Sequence, residues 1–300
     1  MHREITNTAQ ENQMRTGEGF VAALDQSGGS TPKALRLYGI QDDQYSDEIE
    51  MFDLVHQMRE RIMTSTQFSG DRIIAAILFE QTMNRQVAGK DTPFYLWEDK
   101  GIVPILKVDK GLLDESHGVR LMKPIDNLDE LLEHAHTKGI FGTKARSVIA
   151  AADPGGIAEN LAQQFEYGNR ILEHGLVPIL EPEVDITSPD KGKIEDILEP
   201  ELRSHLDALP QDRSVMLKLT IPDKDNHYAD LIAHPRVMRV VALSGGYTRE
   251  EANRRLARNH GLIASFSRAL TQGLTVQQSE DDFNRMLSES VDSIFRASIT

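Results

Sequence analysis

The sequence predicts an α/β fold, a single (β/α)8 barrel. Three observations predict it. Short apolar runs recur along the chain, rich in Val, Ile, Leu and Ala, and runs of four to eight such residues suit strands buried on both faces. Segments with helical spacing separate them. The alternation repeats eight times across 300 residues with no low-complexity linker, a length at which α/β barrels commonly form one domain.

The runs are Phe20–Leu24, Ile73–Phe79, Ile102–Val108, Ile140–Val148, Leu176–Leu180, Val215–Leu219, Val237–Leu243 and Leu262–Phe266. Between the fourth and fifth, Ile157, Leu161, Phe165, Gly168 and Leu172 return every three or four residues and share one helix face. Asp153 is placed as the N-cap, with Pro154 at the first helical position and Gly175 as the stop. Arg249 to Asn259, capped by Thr248, and Ser279 to Phe295 are predicted helices on the same grounds. Lys191–Lys193 is expected to be a loop-like break. The domain is expected to span residues 1–300, with 1–18 as an N-terminal extension or helix and 271–300 as a C-terminal helical segment. Periodicity leaves one rival open, a doubly wound open sheet, because it does not show closure.

Composition narrows the function. There is no cysteine, which excludes disulfide scaffolds, thiol catalysis and thiolate metal sites. Thirty-three basic residues against 47 acidic give a net charge of −14, unlike a nucleic-acid-binding domain. No apolar stretch is long enough to span a membrane, and the polar N-terminus does not read as a signal peptide. The expectation is a soluble cytoplasmic protein with neither nucleic-acid nor membrane partners.

In a barrel, chemistry sits where the strands end. The first run ends in Asp25, followed by Gln26, Ser27, two glycines and Ser30; the third carries Lys107, then Asp109 and Lys110; the fourth carries Lys144 and Arg146. The fifth ends in Glu181-Pro182-Glu183, the sixth holds Lys218, the seventh ends in Ser244-Gly245-Gly246, and the eighth in Ser267-Arg268. A lysine with apolar neighbours in a buried strand is costly. One alone fits an edge strand with its head in water; three, at 107, 144 and 218, are harder to explain that way. Converging on one mouth, they are expected to depress one another's pKa, and a lysine so lowered is a carbonyl nucleophile that forms a Schiff base. Glu181, Glu183 and Asp25 would supply the proton shuttle and base, whether or not they also pair with the lysines. Ser244-Gly245-Gly246 ahead of a helix, with Arg268 beside it, fits an anion site; Ser27 to Ser30, near Lys33, fits a second. Two such nests flanking a lysine pocket suit a substrate with two phosphates. The ten histidines form no metal motif; His134 and His136 are placed on a helix surface, Arg254 and Arg255 on a solvated face, and Trp97 in packing near Pro93 and Tyr95.

Seven segments in this order resemble class I fructose-bisphosphate aldolase in its short, bacterial-like form. They are Ala23-Leu24-Asp25-Gln26-Ser27-Gly28-Gly29-Ser30, Leu106-Lys107-Val108-Asp109-Lys110-Gly111, Gly142-Thr143-Lys144-Ala145-Arg146, Leu180-Glu181-Pro182-Glu183, Leu217-Lys218, Leu243-Ser244-Gly245-Gly246 and Ser265-Phe266-Ser267-Arg268-Ala269-Leu270. The resemblance implies a TIM barrel and a metal-free Schiff-base enzyme with no cofactor. It would cleave fructose 1,6-bisphosphate to dihydroxyacetone phosphate and glyceraldehyde 3-phosphate, and would form a homo-oligomer. It assigns the Schiff base to Lys218, acid/base steps to Glu181 with Glu183 beside it, C3–C4 cleavage to Asp25, and charge stabilisation to Lys144 with Arg146 as neighbour. Lys107, Ser27 and Ser30 fall to the aldehyde-side phosphate; Ser244, Gly245 and Arg268 fall to the ketone-side phosphate.

The chain departs from the pattern at Gln26, where the family has Glu, at Leu219-Thr220, where Pro-Asn often follows the lysine, and at Ser267, where a glycine is common. Vertebrate members end in a mobile tyrosine; this chain ends in Ala-Ser-Ile-Thr, so another group is expected to protonate the enamine carbon. A Schiff-base aldolase for a related bisphosphate, such as tagatose 1,6-bisphosphate, and a barrel kept as a binding protein are the alternatives.

Overall fold

A computed structural model describes residues 8–300 of the chain. Its strands are β1 (Phe20–Leu24), β2 (Ile73–Leu78), β3 (Val103–Lys107), β4 (Gly142–Ile149), β5 (Val177–Val184), β6 (Val215–Thr220), β7 (Val237–Leu243) and β8 (Ile263–Phe266). Each pairs in parallel with its sequence neighbours, β3 pairs with β4, and β8 returns to β1. The sheet therefore closes, and the barrel prevails over the open-sheet rival. All eight predicted runs coincide with these strands to within a few residues at either end.

Strand alternation explains the packing. Phe20, Ala22 and Leu24 of β1 face the outer core under the helices. Val21 and Ala23 point inward, among Ile77, Ile105, Ile179, Met216 and Val241 of other strands. A period of two thus divides one apolar run between two cores, which is why these runs carry no polar face. Gly142 begins β4 because the strands crowd there: a Cβ would lie 2.2 Å from the Val177 carbonyl oxygen.

The longer helices are α1 (Thr8–Thr16), α2 (Thr31–Leu37), α3 (Glu48–Thr64), α4 (Leu128–Thr137), α5 (Pro154–Glu173), α6 (Lys191–Asp207), α7 (Arg249–Leu256) and α8 (Glu280–Ser298). The predicted caps form. Asp153 accepts a hydrogen bond from the Gly156 N–H at 2.8 Å, and Thr248 and Ser279 cap α7 and α8 in the same way. Helix α7 stops at Leu256, three residues short of the predicted end.

Lys191–Lys193 corrects the expectation of a loop-like break, for it opens α6. Lys191 is buried because its ammonium donates to Glu195, to the Ile221 carbonyl at 2.9 Å and to Asp223 at 3.0 Å. Lys193 stays exposed and pairs with Asp190 at 2.6 Å; the stretch looked like a break because the Ile221 and Asp223 partners of Lys191 are distant in sequence.

Helix α1, the described part of the predicted 1–18 extension, closes the N-terminal end of the barrel. Gln13 donates to the carbonyls of Ile74 and Gly101, at 2.8 and 2.7 Å, and Arg239 donates to Met14 and Gly17, at 2.9 and 3.0 Å. Met14 is fully buried in the inner core. With this end plugged, only the C-terminal end stays open. There the segment after β3 folds back as an arm whose Val119 and Arg120 pair antiparallel with Ile149 and Val148 of β4. No described helix is long and apolar enough to cross a membrane.

Candidate active site

A cavity of about 610 Å³ opens at the C-terminal ends of the strands. It is lined by all twelve residues singled out from the sequence: Asp25, Ser27, Ser30, Lys107, Lys144, Arg146, Glu181, Glu183, Lys218, Ser244, Gly245 and Arg268. Strand ends converge in a barrel, so residues up to 243 positions apart in sequence share one mouth.

Glu181 organises its centre. One carboxylate oxygen lies 3.0 Å from the Lys218 ammonium and the other 3.0 Å from that of Lys144. Lys144 also lies 2.7 Å from Asp25 and 3.8 Å from Asp109. All five groups are buried. Among the described residues, Lys218 forms an ion pair with Glu181 alone.

The electrostatics separate the lysines and correct the expectation that all three depress one another. Burial works against the charge of Lys144, but Asp25, Glu181 and Asp109 outweigh it and hold the ammonium well above the ordinary lysine range. Burial pulls Lys107 down, assisted by Lys144 and opposed by Asp109. Burial raises the Asp25 carboxyl, but Lys144, Lys218 and Lys107 overcome it and keep Asp25 well below the usual carboxylate range. Glu183 goes the other way: burial raises it, Arg146 opposes, and Glu181 adds to the rise. Arg146 lies 3.0 Å from Glu183 and is raised, since Glu183 and Glu181 outweigh its burial. Counting positive charges in the mouth misled because the carboxylates between them set the sign.

The two nests differ in readiness. In the segment after β1, the Ser30 hydroxyl accepts from the Ser27 N–H at 3.0 Å and donates to the Ser27 carbonyl at 2.9 Å, so that N–H is already engaged. Lys33 and Arg120 also line the cavity. In the segment after β7, Gly245 takes φ +60° with Ile186 packed against it, and the Arg268 guanidinium reaches toward Gly246.

The family model for class-I fructose-bisphosphate aldolase matches residues 4–219. A Synechocystis protein named fructose-bisphosphate aldolase class 1 is 59% identical over 98% of both chains. The chain belongs to the class I fructose-bisphosphate aldolase family. A Porphyromonas gingivalis protein of the same name is 57% identical, over 98% of this chain and 99% of its own. The crystal structure of fructose-bisphosphate aldolase from Plasmodium falciparum, in complex with TRAP and an inhibitor, superposes with a TM-score of 0.73. It covers 100% of this chain and 98% of its own at 19% identity, a likeness of fold.

Sequence reasoning about this aldolase-family chain left some site residues unassigned. Asp109 binds the Lys107 ammonium at 2.8 Å and accepts from the Arg146 backbone N–H at 3.2 Å. Its position two residues after Lys107, at the end of the same strand, was the available signal. Arg120 reaches the cavity only through the arm, and nothing local marks it. None of the described histidines lines the cavity, and no group of three or more acidic or histidine side chains among the described residues is arranged to hold a metal ion. Trp97 packs against the inner core as expected. Arg254 is exposed, but Arg255 is not simply solvated: it stacks 4.4 Å over Tyr247 and bonds Glu251 at 2.6 Å.

Proposed function

We propose that the protein catalyses the reversible aldol cleavage of fructose 1,6-bisphosphate to dihydroxyacetone phosphate and glyceraldehyde 3-phosphate, through a Schiff base on Lys218. The observation that carries this reading is the division of Glu181 between the two lysines, 3.0 Å to each. Lys144, ringed by carboxylates, holds its proton and is a poor nucleophile. Lys218 can pass a proton to Glu181 and become the neutral amine that attacks.

The steps follow from these positions. The Lys218 nitrogen bonds to C2 of the open-chain ketose, and its remaining extra proton moves to the former carbonyl oxygen. Glu181 returns its proton to that hydroxyl, which leaves as water and yields the iminium. Asp25, kept ionised by Lys144, takes the C4 hydroxyl proton. The C3–C4 electrons flow into the iminium to give the enamine, and the aldehyde departs. Protonation at C3 and hydrolysis then release dihydroxyacetone phosphate. Lys144 stabilises charge that develops during these transfers, and the Glu183–Arg146 pair flanks them.

Ser27, Ser30, Lys107 and Arg146 would hold the aldehyde-end phosphate; Ser244, Gly245 and Arg268 would hold the other. The scheme uses no metal and no cofactor. Family membership and the absence of a membrane-spanning helix among the described residues support a cytoplasmic protein. We extend the proposal to one domain over residues 1–300 and to a homo-oligomer.

Borohydride reduction with dihydroxyacetone phosphate, followed by peptide mapping, tests the reading. Label on Lys218 alone is expected, with cleavage undiminished by EDTA and abolished in Lys218→Met. Label on Lys144, no label, or normal turnover by Lys218→Met overturns it.

A further inference from the structure

Backbone pairing between β1 and β8 ends at Ala22 and Phe266. Asp25 and Arg268 lie just beyond it, on opposite sides of the seam that closes the barrel. One side-chain bond continues across this gap: the Gln26 amide donates to the Ser267 hydroxyl at 2.6 Å.

Gln26 is itself held. Its backbone carbonyl accepts from the Arg59 guanidinium, and its side-chain oxygen lies 3.4 Å from the same nitrogen. Arg59, on α3, is 1% exposed, and its other terminal nitrogen donates to Thr82 at 2.7 Å. A guanidinium buried on a helix face that otherwise packs apolar side chains is expensive unless its bonds are used. Burial brings its pKa down to about 10, against the pull of Asp25, so it stays charged at neutral pH.

Ser267 passes the constraint on. Its carbonyl accepts from the N–H groups of Leu270 and Thr271, both at 3.1 Å, and it caps the short turn Arg268–Thr271. Arg268 is exposed, and its side chain forms no hydrogen bond or ion pair with another described residue. The turn beneath it therefore fixes where the side chain leaves the backbone, and the guanidinium extends toward Gly246.

We infer that Gln26, clamped by Arg59 and bonded to Ser267, is a positioning residue that aims Arg268 at the ketone-end phosphate. Gln26 and Ser267 both line the cavity, and the role assigned to them is exercised through Arg268. The inference rests on the aldolase reading and adds to it a dependence of phosphate affinity on the β1–β8 seam. The amide suits this task because its oxygen faces a buried cation while its nitrogen donates to a hydroxyl.

The test compares Gln26→Met, Ser267→Ala and the double variant on fructose 1,6-bisphosphate and on fructose 1-phosphate, which has only the ketone-end phosphate. Each single variant is expected to raise KM on both ketoses about 3–10-fold, the scale of one lost hydrogen bond, with kcat within twofold. The double variant is expected to do little more than either single, because both break the same bond. Unchanged KM, multiplied effects in the double variant, or a loss in kcat at constant KM overturns the inference. Wild-type protein that cleaves neither ketose overturns the aldolase reading, and the inference with it. Thermal denaturation run in parallel separates positioning from stability: a lowered Tm with unchanged KM also overturns it.

Discussion

Glu181 holds Lys218 at 3.0 Å with the one carboxylate oxygen that Lys144 leaves free. A single buried carboxylate is therefore placed to take a proton from one lysine, as proposed above, while it forms part of the cage that keeps another charged. The two lysines have the same chemistry in isolation and are assigned opposite tasks by their neighbours.

This division makes Glu181→Gln informative. The amide cannot take the Lys218 proton, so kcat/KM is expected to fall about 10²–10⁴-fold, the usual worth of a general acid/base. Borohydride trapping at Lys218 should slow in parallel. Trapping at the wild-type rate would mean that another group activates the lysine.

The Asp25–Lys144 pair predicts a flat pH dependence. Asp25 is lowered in the folded protein, so its stabilisation is present above the unfolded carboxyl pKa of about 4 and fades only as pH falls toward the lower folded value. Lys144 is raised, so its contribution is complete below the unfolded lysine pKa of about 10.4 and fades only above it. Asp25→Asn is therefore expected to cost the same at pH 6 and pH 9, on the order of 3–5 kcal/mol for a broken buried pair. Urea denaturation at the two pH values measures it; a penalty that differs by more than about 1 kcal/mol between them contradicts the assignment.

Gly245 predicts a local effect on the ketone-end phosphate site. Its φ is +60°, and a Cβ there would meet the Ile186 side chain at 2.5 Å. Gly245→Ala is expected to cost about 1–3 kcal/mol in strain and to raise KM for fructose 1-phosphate, while Lys218 still traps with borohydride. Adding Ile186→Ala relieves the clash but not the backbone strain, so KM should recover only in part. Full recovery would show that Ile186 alone set the requirement.

Most of the barrel was legible because its signals are local. Apolar runs such as Phe20–Leu24 needed no partner to be recognised, and Asp153 with Pro154 announced α5 by itself. The cavity-lining residues were legible for a related reason: each lies on a barrel strand or in the segment just after one, and a barrel brings these together. Lys191 shows where this stops. Its partners at Glu195, Ile221 and Asp223 bury it and turn an expected loop-like break into the start of a helix, on which Lys193 stays exposed. Arg59 carried no local sign of its task, and Gln26 and Ser267 stood out only as separate departures from the family pattern.

By itself, the sequence determined the eight strands, the main helices and the twelve residues lining the mouth, because burial pattern and strand position are properties of short segments. The net charge of −14 was likewise a sum with no geometry in it. Only the tertiary structure decided that the sheet closes, that Lys144 is raised while Lys107 is lowered, and that Gln26 meets Ser267 across the seam. Those outcomes depend on distances of about 3 Å between groups far apart in the chain, and electrostatic sign and hydrogen-bond pairing vary steeply over such distances.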